Sequence, residues 1–143
     1  MNSMSNLVED AIRHLPKGGY RITGQRKAIL EVLANADSPM SAEENYTRLS
    51  GQKCDLVTVY RCLEQFVKAE VVQMGVRENG TRVYCLGHSD GSGHHHHLTC
   101  RKCGHAERVD ICMGKELEKI AYNHGFTKVT HVMEAFGFCP SCS

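Results

Sequence analysis

The chain has 143 residues, a formal net charge of +1 and 41% hydrophobic residues, enough for one or two small domains with modest cores. No apolar run approaches the ~20 residues of a membrane span, and no charged-then-apolar leader opens the chain, so a soluble, unexported, cytoplasmic protein without membrane partners is expected. In such a chain eight cysteines point to metal binding rather than to a disulfide framework. A nearly neutral total argues against nucleic acid as a partner. Arg13, Lys17, Arg21, Arg26 and Lys27, however, run without an intervening acid and form a local basic stripe.

Residues 7–15 have the pattern of a short helix, closed by Pro16 and the Gly18-Gly19 pair. Thr23 reads as the N-cap of a helix to about Ala34, with Ile29, Leu30 and Leu33 on its apolar face and Arg26 and Lys27 exposed. After a break at Asp37-Ser38-Pro39, Ser41-Ala42-Glu43-Glu44 is a capping box for a helix that Gly51 ends. Asp55 caps the next helix, where Leu56, Val59, Leu63 and Phe66 recur at steps of three and four. Thr58, Arg61, Gln65 and Lys68 form the opposite stripe, with Tyr60 at its edge. An apolar side to seat the helix and donors facing a groove are what a DNA-recognition helix needs, and any amphipathic surface helix shows the same pattern. Context separates the two. Residues 71–78 and 81–86 read as strands around Asn79-Gly80, the favoured type I′ turn, and short helices followed by a hairpin make a winged helix. That arrangement brings Tyr60 and Arg61 near DNA and leaves the basic stripe for flanking phosphates.

Residues 87–93 shift to Gly, Ser, Asp and His and read as a hinge linker between domains at 1–86 and 94–143. Beyond it, strands are expected over 95–100 and 106–110, and then a helix over 114–124 with Leu117, Ile120 and Ala121 facing the core and Gly125 as C-cap. A third strand follows over 129–136. The fold class is therefore α+β, an N-terminal winged-helix DNA-binding domain followed by a small α/β domain. The second domain is small enough that pairing with a second copy is expected.

The segment His94-His95-His96-His97-Leu98-Thr99-Cys100-Arg101-Lys102-Cys103 is answered by Cys139-Pro140-Ser141-Cys142. Two CxxC knuckles folded onto each other present four thiolates to one tetrahedral ion, a structural zinc site; disulfides or a redox-active CxxC are the alternatives. A four-cysteine site leaves no open position for a substrate, and no acid/base or nucleophile constellation stands elsewhere, so neither an enzyme nor a small-molecule substrate is expected. On an extended segment His94 and His96 point one way and His95 and His97 the other, which could serve two ions. An expression tag is the alternative after Gly91-Ser92-Gly93, although the run leads directly into a CxxC. Cys54, Cys62 and Cys112 read as small buried or half-buried side chains, and His14, His105 and His124 as ordinary polar or capping residues.

The chain resembles the ferric uptake regulator family of metal-dependent bacterial repressors. The resemblance rests on Arg21-Ile22-Thr23-Gly24-Gln25-Arg26, Ser41-Ala42-Glu43, Thr58-Val59-Tyr60-Arg61-Cys62-Leu63, the HHHHLxCxxCG run from His94 to Gly104, and Phe136-Gly137-Phe138-Cys139-Pro140-Ser141-Cys142. It implies a homodimer that binds palindromic double-stranded operators through the winged helix once a sensing metal is bound, with Arg21, Arg26, Thr58, Tyr60, Arg61 and Gln65 as DNA-facing residues. It assigns Cys100, Cys103, Cys139 and Cys142 to structural zinc, and Cys85, His95, His97 and Glu107 to a regulatory site at the hinge. Iron and peroxide sensors carry a carboxylate where Cys85 stands, whereas the zinc-sensing branch carries cysteine. This implies zinc at the hinge, with iron or manganese, in an iron, manganese or peroxide sensor on the same scaffold, as the alternative. Pro39 stands where iron and peroxide members have a histidine ligand, and Gln73 where zinc members have His or Asp, with His88 a nearby substitute. A third family site would draw on His94, His96 and His131. Gly114 falls where its acid is expected, leaving Glu116 as the replacement.

Overall fold

The computed structural model describes residues 4–15, 19, 21–36, 38–49, 54–86, 96–109 and 111–143. Two compact units divide the chain, Met1–Gly93 and His94–Ser143. The linker at 87–93, with His88, and the first two histidines of the run, His94 and His95, lie outside the described residues, as does Gly51.

The first unit contains α1 (Met4–His14), α2 (Gly24–Ala34), α3 (Ala42–Arg48), α4 (Leu56–Lys68), β1 (Val72–Val76) and β2 (Arg82–Leu86). The helix starts follow the side chains that satisfy their first N–H groups. Thr23 accepts from the Arg26 N–H and Asp55 from the Thr58 N–H. Ser41 and Glu44 form the reciprocal capping box. Ile29, Leu30, Val59, Leu63 and Phe66 are fully buried, with Met40, Ala42, Val72 and Tyr84 closing the core around them. Each large apolar side chain buried there contributes roughly 1.5–3 kcal/mol. Cys62 belongs to this core, as expected of a small buried thiol.

The hairpin departs from the type I′ expectation. Val76 pairs with Arg82, the Arg77 N–H donates to the Thr81 carbonyl, and the Gly80 N–H donates to the Arg77 carbonyl at 2.8 Å. Gly80 has φ +88° while Asn79 keeps a negative φ. The loop therefore spans three residues and closes on a left-handed glycine, because Asn79 bonds its own side chain to the Thr81 N–H instead of turning left-handed. Met40, just before α3, exchanges backbone hydrogen bonds with Tyr84 and adds a short third pairing to the hairpin.

Arg77 grips the Glu44 carboxylate with two hydrogen bonds of 2.6 and 2.9 Å, tying the hairpin to α3, and holds that carboxyl below its ordinary 4.5. The pair's stabilisation is thus present above that value and is lost as pH falls through the lower folded value. Because both side chains are partly exposed, Glu44→Gln is expected to cost less than about 1 kcal/mol at neutral pH, and that cost should shrink as pH falls through the lowered folded value, as read by urea unfolding across an acid series.

The second unit contains β3 (His96–Cys100), β4 (Ala106–Val109), α5 (Gly114–Asn123) and β5 (Ala135–Gly137), with strand order β4-β3-β5. β3 is antiparallel to β4 and parallel to β5, the crossover being carried by α5. Two expectations are corrected. The third strand is only three residues long, since residues 129–134 run outside the ladder. Leu117 and Ile120, expected in the core, are 49% and 56% exposed, and Ala121 is only half-buried. The sheet of this unit is too small to cover the apolar face of α5. His124 is the C-cap of that helix, and Gly125, expected in that role, follows one residue beyond it with the left-handed φ of +85° that terminates the helix.

Candidate metal centres and DNA-facing helix

Four sulfurs converge at one end of the second unit. Those of Cys100, Cys103, Cys139 and Cys142 all lie within 4.8 Å of one another, and Cys103 Sγ is 3.7 Å from Cys139 Sγ. That distance far exceeds a disulfide bond of about 2.05 Å. It matches the edge of about 3.8 Å that a sulfur tetrahedron has around zinc at about 2.3 Å per bond. The backbone builds the cage. β3 ends at Cys100, the Gly104 N–H returns to the Cys100 carbonyl, and the Arg101 N–H donates to the Gly137 carbonyl, which sets the two knuckles side by side. Gly104 makes the turn with φ +77°. The Cys100 sulfur accepts the backbone N–H groups of Cys103 and Cys139, and these pull its thiol down to about 5. Hydrogen bonding to Cys139, followed by burial and the other two sulfurs, pushes Cys142 up to about 12. Four thiolates together repel one another, and a divalent cation at their centre reverses that cost. This donor set fits zinc.

A second cluster joins His96 on β3, Cys112 before α5 and His131 after it, their ligand atoms also within 4.8 Å of one another. The sequence reading pairs His96 with His131. In place of Glu116, which is exposed on α5 and outside the cluster, the structure brings in Cys112. Spacing gave no signal for Cys112, which stands alone in the sequence.

The expected hinge residues are divided between the two units. On β2, Cys85 is half-buried directly across the ladder from Gln73. His97 is buried on β3, where desolvation and then Arg108 lower its pKa, and Glu107 is exposed on β4.

α4 turns Val59, Cys62, Leu63 and Phe66 inward, leaving Val57, Tyr60 and Arg61 exposed. Two of the expected DNA-facing residues hold each other, since Arg26 Nη2 donates to Gln65 Oε1 at 2.8 Å. Arg26 also bonds to the Arg21 carbonyl, so α2 and the exposed residues before it are fixed to α4. Thr58 is half-buried at the start of α4, and Arg21 is exposed. The Tyr60 hydroxyl donates to the Glu43 carboxylate, which lowers the Glu43 pKa and raises that of Tyr60. Glu43 and Val57 were not singled out in the sequence as part of this surface. Within the basic stripe, Arg13 is paired with Asp10 and Lys27 lies near Glu31.

The model described as the ferric uptake regulator family matches residues 17–136. The chain is 33% identical over 146 residues to the ferric uptake regulation protein of Neisseria meningitidis serogroup C, covering 99% of this chain and 96% of that protein. It is 37% identical over 129 residues to the protein of the same name from Escherichia coli strain K12, with 87% and 85% covered. Among solved structures it is similar to the Vibrio cholerae ferric uptake regulator, with 32% identity, a TM-score of 0.63, and 89% and 98% covered. A zinc uptake regulator complexed with zinc and DNA, 24% identical, superposes with a TM-score of 0.80 over 99% of this chain and 95% of that one, a likeness that bears on the fold alone. Both likenesses support the mixed helix-and-sheet fold described above. The chain belongs to the ferric uptake regulator family of metal-dependent transcriptional regulators.

Proposed function

We propose that this regulator is a cytoplasmic, zinc-sensing repressor of metal-uptake genes that binds double-stranded operator DNA as a homodimer. The observation that carries the zinc reading is the thiol of Cys85 at the hinge-ligand position, where a thiolate favours zinc over a hard, oxygen-seeking ion. Cys85, His95, His97 and Glu107 are the proposed regulatory ligands, with His88 or Gln73 as a further candidate. Cys100, Cys103, Cys139 and Cys142 hold structural zinc. When bound at the hinge, zinc supplies a link between the two domains that favours one spacing of the paired recognition helices. Operator DNA must in turn tighten zinc binding by the same factor.

The chain's own contacts support a route from Cys85 to α4. Its neighbour Tyr84 pairs with Met40 at the entrance to α3, and Glu43 on α3 holds Tyr60 of α4. The exposed Leu98, Ile111, Leu117, Ile120 and Val132 of the second unit support dimerisation, since burial against a second copy covers apolar side chains this unit leaves in water. Arg61→Ala is expected to weaken DNA binding by about 1–3 kcal/mol without changing zinc content, as read by fluorescence anisotropy and elemental analysis.

Iron sensing is a second reading, favoured by relatives of 33–38% identity that are ferric uptake regulation proteins. Competition between zinc, ferrous iron and manganese tests the two. The probe is a labelled duplex selected from random DNA by the wild-type protein, and activation by zinc at the lowest free concentration is expected. Activation by iron or manganese with zinc inert would replace the zinc reading.

A further inference from the structure

We infer that Cys112 replaces the missing carboxylate of the third family site expected around His96 and His131, and that its thiolate makes this site prefer a thiophilic divalent ion such as zinc. Three observations within the second unit converge on it. Cys112 Sγ lies 3.2 Å from His131 Nε2, and the His96 and His131 rings are 5.5 Å apart at their centroids, so one ion can reach all three side chains. His96 Nδ1 is 3.0 Å from the Met133 carbonyl, which can only accept. The ring proton therefore sits on Nδ1, and Nε2 presents its lone pair, the arrangement that orients metal-binding histidines elsewhere.

Gly114 is the third observation. A Cβ there would come 2.3 Å from His131 Cε1 and 3.1 Å from Cys112 Sγ. Any acid at this position would displace the ring and the sulfur, so the chain gives up the acid and in its place brings a thiol from two residues earlier. The Gly114 N–H donates to Cys112 Sγ at 3.2 Å, as backbone N–H groups do to Cys100 in the four-sulfur cage. The two nitrogens and one sulfur that the described residues supply suit zinc or cobalt and disfavour manganese, which prefers oxygen. The site ties β3, the start of α5 and the segment before β5 together, in a unit with little apolar burial of its own. It stands whichever metal the hinge senses.

The test uses the full-length dimer, mildly chelated so that its tight zinc remains, with cobalt(II) as probe. Cys85→Ser removes the hinge thiolate, so any sulfur-to-cobalt charge-transfer band then comes from elsewhere. The band is expected in C85S and lost in C85S/C112S. C85S/C112D is expected to bind the same amount of cobalt without the band. Elemental analysis must show the tight zinc retained in each variant. Should C112S unfold, C112D, which keeps a ligand, carries the comparison, and His131→Gln in the C85S background must also remove the band. A C85S protein without the band, or a band that survives C112S and C112D, would overturn the site. The DNA response of C85S is read separately and bears only on the hinge.

Discussion

Cys100→Ser is expected to release the tight zinc, unfold residues 94–143 and abolish dimerisation. Among the described residues from 96 onward, Cys100 is the only apolar side chain that is fully buried; the other buried positions are His96, His97 and Gly114. The first unit, by contrast, encloses a continuous core running from Val8 to Tyr84. Structural zinc contributes about 10–16 kcal/mol of apparent free energy in small zinc-folded peptides, as much as a whole domain's net stability of about 5–15 kcal/mol. Removing one of four thiolates leaves the other three repelling one another and takes away the acceptor of the Cys103 and Cys139 N–H groups. Circular dichroism, zinc content and sedimentation read the outcome together. The first unit should keep its helices. A zinc-free C100S protein that still folds and dimerises would show that the cage is not what holds this unit together.

Cys85→Ser has the second large expected effect, on regulation rather than folding. The dimer and its tight zinc should be unchanged, while the zinc-dependent gain in DNA affinity, expected to be 5–150-fold for a coupling of about 1–3 kcal/mol, should disappear. Serine preserves the size of the side chain on β2 opposite Gln73, so the hairpin register and the core beside it should survive. A normal zinc response in C85S would remove Cys85 from the regulatory site.

The legible parts of the sequence were those where local chemistry decides. Thr23, Ser41 and Asp55 cap the helices they were expected to cap, because a side-chain oxygen three residues before an N–H needs no distant partner. Each CxxC is legible as a local turn that pairs its own two sulfurs, while the long-range Arg101–Gly137 bond sets the two knuckles side by side. What was missed depends on tertiary placement. Cys112 carries no motif, and only the fold sets it beside His96 and His131. Leu117 and Ile120 have the period of a core face, yet periodicity does not say whether the covering surface belongs to the same chain. Asn79-Gly80 matched the two-residue turn, but Asn79 found a local hydrogen bond that kept it right-handed. The Arg26–Gln65 bond joins residues 39 apart, a contact no sequence pattern announces.

The most direct measurement of the zinc-sensing reading is zinc per chain and operator affinity on the same samples, before mild chelation, after it, and after zinc is returned. One zinc per chain should resist the chelator. The exchangeable zinc and the DNA affinity should fall together, and adding zinc should restore both. If affinity stays unchanged after the exchangeable zinc is gone, or if iron or manganese restores it where zinc does not, the protein is not a zinc sensor.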